Sequence, residues 1–110
     1  MATTYKVLGQ SAPTTTAEAT LYTVPSATQT IISTIAISNL TAIVANATVS
    51  IGVAGAATSN ANTIIKTITI DANSVVAFTL GITIGAADVV RVTSGTANAL
   101  SFQAFGSEIA

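Results

Sequence analysis

The chain has 110 residues, half of them hydrophobic and only 6% charged, with a formal net charge of -1. That length suits one domain with a sizeable core, and so large an apolar share excludes the composition of a disordered chain. The three basic residues, Lys6, Lys66 and Arg91, stand singly, and Cys and His are absent. This argues against phosphate-binding nucleic-acid recognition, rules out disulfides and thiol metal sites, and removes the commonest general base near neutral pH.

In chain order the apolar residues recur with a period of two, which predicts strands rather than helices. A first strand is expected at 5–8, closed by a turn at Gly9-Gln10-Ser11-Ala12-Pro13. The Thr-rich stretch 12–17 reads either as a linker or as an extended arm reaching a neighbouring subunit. Strands at 19–24 and 30–39 follow, the first ended by Pro25-Ser26. Residues 48–53 alternate strictly and place Val49, Ile51 and Val53 on one face. A small polar loop spans 55–62. Strands at 63–70 and 74–80 are joined by a tight Asp71-Ala72-Asn73 turn, where Asp and Asn can bond nearby amides. Strands at 88–93 and 100–106 complete a set of about eight.

This pattern predicts an all-β fold: a single antiparallel β-sandwich over residues 1–110, jelly-roll or Ig-like, with negligible helix. Its expected core draws on Ile35, Ile37, Val49, Ile51, Val76, Phe78, Val90, Val92 and Phe102. The 20 Thr residues suit a strand's outer face without adding charge. Mean hydropathy is high, but Thr, Ser or Asn breaks every apolar run well short of the roughly 20 residues of a spanning helix. The polar start, Met1 to Lys6, leads into no apolar block. The expectation is a soluble chain made in the cytoplasm, with no membrane and no nucleic acid among its partners.

Catalysis finds few materials. Without His or Cys the usual serine and cysteine nucleophile arrangements cannot form. The four carboxylates, Glu18, Asp71, Asp88 and Glu108, are scattered and read as turn formers and solubilising charges. Asp71 and Asn73 offer too few ligands for a Ca²⁺ loop. No catalytic residue, metal site or cofactor is expected. Asn39-Leu40-Thr41 and Asn46-Ala47-Thr48 match the glycosylation sequon, a short pattern that Thr-rich chains produce by chance. Of five aromatics, Phe78 is in phase with Val76 and Leu80, and Phe102 with Leu100 and Ala104, so both belong to the core. Phe105 is out of phase with Phe102, pointing to the other face or following a bulge. Tyr5 and Tyr22 could cap the core, line a contact or offer a stacking platform for a glycan.

Three segments carry a resemblance: Tyr5-Lys6-Val7-Leu8-Gly9-Gln10-Ser11, Leu21-Tyr22-Thr23-Val24-Pro25 and Phe105-Gly106-Ser107-Glu108-Ile109. Together they resemble a family of small virion structural proteins of tailed phages, notably phages of cyanobacteria and other aquatic bacteria. Leu80-Gly81-Ile82-Thr83-Ile84 followed by Asp88-Val89-Val90 is similar to later strands of that family, whereas residues 40–62 are less alike. The resemblance implies a non-enzymatic particle component located in the virion. It leaves open a capsid decoration or cement protein bound to the major capsid protein, or a neck, tail or fibre module, with host surface glycans as a ligand class for the latter. A homo-oligomer is expected, because so few charges keep copies apart. The candidate assembly contacts lie near the termini and in the second strand: Tyr5, Lys6, Leu8, Gln10, Tyr22, Phe105, Glu108 and Ile109. For the terminal segments, simple edge strands remain the alternative.

Overall fold

The computed structural model describes residues 2–110 and is all-β, with two packed antiparallel sheets. In chain order the strands are β1 (Thr3–Ser11), β2 (Ala19–Thr23), β3 (Gln29–Asn39), β4 (Ala45–Gly52), β5 (Thr63–Ile70), β6 (Val75–Phe78), β7 (Ile82–Ile84), β8 (Val89–Ser94) and β9 (Leu100–Ile109). The described helical content is a single 3-10 turn at Val53–Gly55. One sheet runs β1-β9-β3-β6, with β7 continuing beside β3; the other runs β2-β8-β4-β5.

Inward residues follow from the alternation. Phe102, Ile32, Ile35, Ile37 and Leu100 from the first sheet meet Val49, Ile70, Val90 and Val92 from the second, all fully buried. Each such side chain gains about 1.5–3 kcal/mol on leaving water, so this layer supplies the main driving force. Of the nine expected core residues, six are fully buried, while Ile51, Val76 and Phe78 pack against the core as partly buried neighbours.

The differences from the sequence reading have local causes. The first strand does not stop at a Gly9 turn; it runs on to Ser11. Gly9 is required there for another reason, because a Cβ at that position would stand 2.1 Å from the Leu21 carbonyl oxygen. The strand expected at 74–80 ends at Phe78. Gly81 takes a left-handed φ of 64° and starts the separate β7, which leaves Leu80 exposed rather than in the core. Val53 leaves the face of Val49 and Ile51, because the chain turns into the 3-10 segment. Stretch 12–17 behaves as the linker between β1 and β2, with Pro13 buried and its carbonyl accepting from the Asn98 amide at 3.2 Å.

Bulges set which side chains point out. Opposite β9, the register shifts at Leu8 in β1 and at Ser33 in β3, on either side of Phe105. In β1 the extra residue restores Gln10 to the outward face already holding Tyr5 and Val7. In β3 the extra residue, Ser33, lets Ile31 and Thr34 both point outward while Ile32 and Ile35 stay inside. Edge strand β5 carries its own irregularity at Thr67, whose φ of 52° is rare for a β-branched residue. Its amide donates to the Thr48 hydroxyl at 3.0 Å.

Candidate assembly surface

The two outer faces of the sandwich are chemically unlike. Seven residues of the chain are charged. Of these, only Lys6 and Glu108 lie on strands of the five-stranded sheet, and both sit in the inward phase, aligned with Gly106 and Thr30. The outward phase of that sheet is therefore free of charge. Pairing aligns Val7, Phe105 and Thr34 in one outward row, Tyr5, Ser107, Ile31 and Thr83 in the next, and Gln10, Gln103 and Ala36 in a third. Tyr5 is 83% exposed, Val7 48% and Ile31 39%, so an apolar band lies open to solvent.

The four-stranded sheet, by contrast, is partly covered by its own loop. Ser50 and Gly52 point outward from β4 yet are buried. The loop from Val53 to Asn62 folds over them, held by Arg91 on β8. The Arg91 guanidinium donates to the Ala56 carbonyl and, at 3.1 Å, to the Gly55 carbonyl, and its Nε lies 3.7 Å from Glu18. Thr58 donates to the other oxygen of Glu18, leaving its own oxygen to accept from Ser50 at 2.9 Å. Asp88 fastens the same region, accepting the Ala54 amide at 2.8 Å and the Gly85 amide at 2.9 Å.

The candidate contact residues divide sharply. Tyr5, Gln10, Phe105 and Ile109 share the outward face of the five-stranded sheet. Leu8 and Tyr22 do not qualify as contacts. Leu8 is the bulged residue and turns into the core at 9% exposure, and Tyr22 faces the sandwich interior at 8%. Burial of Tyr22 also removes it from any glycan-stacking platform. Lys6 and Glu108 belong with Tyr22 in a polar link between the sheets. The Lys6 ammonium lies 2.8 Å from one Glu108 oxygen, and the Tyr22 hydroxyl donates to the other. With that proton committed, the Thr30 hydroxyl donates to the phenol oxygen at 2.8 Å. Glu108 is thus an inward structural anchor rather than a solubilising charge, and the Lys6 ammonium holds its carboxyl below the usual range, with help from the Tyr22 bond. Burial, reinforced by Glu108, pushes the Tyr22 phenol up to about 12.

Sequence reasoning missed two outward residues, Val7 and Ile31, and an apolar tip at the opposite end of the molecule. In that tip Leu40, Ile43 and Val44 are exposed, Ile43 at 74%. The Asn39 carboxamide presets its shape, donating to the Ile43 and Ile70 carbonyls at 2.8 and 3.1 Å and accepting from the Thr41 amide and hydroxyl at 3.0 and 2.8 Å. The first sequon asparagine is therefore a buried structural residue. The doublet Ile31-Ile32 gives no sign of which member points out, since the deciding bulge at Ser33 leaves no compositional mark.

An open cavity of about 400 Å³ lies at the end of the sandwich near the chain termini, lined by Ala27, Thr28, Gln29, Gly85, Ala86, Ile109 and Ala110. Its side chains supply a hydroxyl and an amide but no ionisable group. Among the described residues no three His, Cys, Asp or Glu side chains gather at metal-binding distance, and no helix is long and apolar enough to cross a membrane. No protein-family model matches the chain, and no curated protein matches it.

Proposed function

We propose that this chain is a non-catalytic structural component of a tailed-phage virion. Its role is that of a capsid decoration or cement protein, stabilising the shell through repeated contacts with the major capsid protein and with its own copies. The observation that supports this reading best is the uncharged outward face of the five-stranded sheet, with Tyr5, Val7, Ile31 and Phe105 in neighbouring rows. An exposed apolar area of this kind ordinarily marks a contact surface. Individually weak contacts gain strength from repetition on a symmetric scaffold. The resemblance of segments 5–11, 21–25 and 105–109 to small phage virion proteins is what points to this biological setting.

Quantified gel electrophoresis of purified particles tests the assignment. A shell protein is expected at on the order of hundreds of copies per particle, as follows from capsid symmetry. About a dozen copies or fewer would move the chain to the neck, tail or fibres, the alternative position within the same particle. Absence from particles would refute the virion role.

A further inference from the structure

We propose that the outward face of the five-stranded sheet binds a second copy of this chain, sheet against sheet about a two-fold axis. This deepens the self-association in the proposed role and is measured in solution, apart from any particle. Charge selects the occupant. A face without one ionised side chain offers nothing to a strongly charged partner, and pairing it with itself creates no like-charge repulsion. Lys6, the charge nearest its edge, stands in the inward phase of edge strand β1; its side chain is 45% exposed but paired with Glu108 at 2.8 Å.

The area is sufficient. Four strand widths at about 4.8 Å and a strand length near 33 Å give roughly 600 Å² per copy, so the pair buries about 1,200 Å², above the roughly 1,000 Å² of a specific interface. The other outer face competes poorly, because its own loop already lies over Ser50 and Gly52 under the hold of Arg91. A two-fold arrangement brings the same patch from both copies together. Phe105 lies on interior strand β9 between Val7 and Thr34, where an aromatic side chain can be fully desolvated and contribute most. Tyr5 closes the β1 side of the patch.

Sedimentation equilibrium of the full chain over a concentration series tests the interface, with Phe105→Lys, Tyr5→Lys and Thr69→Lys measured alongside. Tyr5 is almost fully exposed, so its variant keeps the fold even if Phe105→Lys does not, and circular dichroism checks both. Thr69 is exposed on β5, on the opposite sheet. Wild type is expected at twice the chain mass at high concentration. The Phe105 and Tyr5 variants should raise the dissociation constant about tenfold or more, while Thr69→Lys leaves it unchanged. A wild type that stays monomeric overturns the interface, as do folded face variants that dimerise normally or a Thr69 variant that dissociates equally. A monomeric wild type would leave particle incorporation to be judged on copy number, whereas absence from particles would leave a dimer in solution intact.

Discussion

The Tyr22 phenol oxygen lies 2.8 Å from the Thr30 hydroxyl, joining the four-stranded sheet to the five-stranded sheet at the terminal end of the sandwich. At the other end the Asn39 amide reaches the Ile70 carbonyl at 3.1 Å and joins the same two sheets again. The apolar layer between them is thus fastened at both ends by polar links, which fix how the sheets face each other and so which residues the outer face presents.

Tyr22→Phe keeps the ring and deletes the link. It leaves a Glu108 oxygen and the Thr30 hydroxyl without their shared partner, at a cost of about 1–3 kcal/mol in chemical denaturation. The outer face is untouched, so self-association should persist at temperatures where the variant remains folded.

The same cluster sets a pH window. Glu108 titrates below its ordinary value of 4.5 in the folded chain, so its stabilisation is present above that value and is lost as pH falls through the lower folded one. Tyr22 is raised from 10.0 to about 12, so stabilisation of the neutral phenol is complete below pH 10 and is lost as pH rises towards 12. Denaturation midpoints across pH should show Glu108→Gln flattening the acid limb and Tyr22→Phe flattening the alkaline limb relative to wild type.

Asn39→Ala removes four hydrogen bonds around the 40–44 loop. The expected loss is about 1–3 kcal/mol, because the buried Ile70 carbonyl loses a donor. Hydrogen exchange should quicken at the Thr41 amide first and leave β9 protected.

Gly9→Ala places a methyl group against the Leu21 carbonyl, where backbone must move to admit it. Thermal unfolding should reveal a destabilisation of about 1–3 kcal/mol or more, as for overpacked interior sites. An unchanged melting temperature would show that β1 and β2 are not in this close approach.

Much of the fold was legible because alternation reports burial directly. Ile35 with Ile37, Val49 with Ile51 and Val90 with Val92 each declare an inward face, and Asp71-Ala72-Asn73 declares its turn, closed by the Ser74 amide on the Asp71 carbonyl at 3.2 Å. What stayed hidden depends on partners distant in sequence. A bulge adds one residue without altering composition, so Leu8 and Ser33 could not be singled out. Gly9 looked like a turn former, when the constraint on it is a carbonyl from another strand. The inward direction of Glu108 follows from its register against Thr30, and the burial of Tyr22 from a sheet assignment that local pattern does not contain. Tyr5, Gln10, Phe105 and Ile109 were singled out from the terminal segments, but that they share one uncharged face is visible only in the register.

Cryo-electron microscopy of purified particles of the tailed phage proposed to carry this chain tests the central claim most directly. The account predicts β-sandwich density repeated over the outer capsid surface, with Phe105 and Tyr5 of each copy covered by protein. A particle lacking that density, or one in which the five-stranded sheet's outward face meets only solvent, would contradict it.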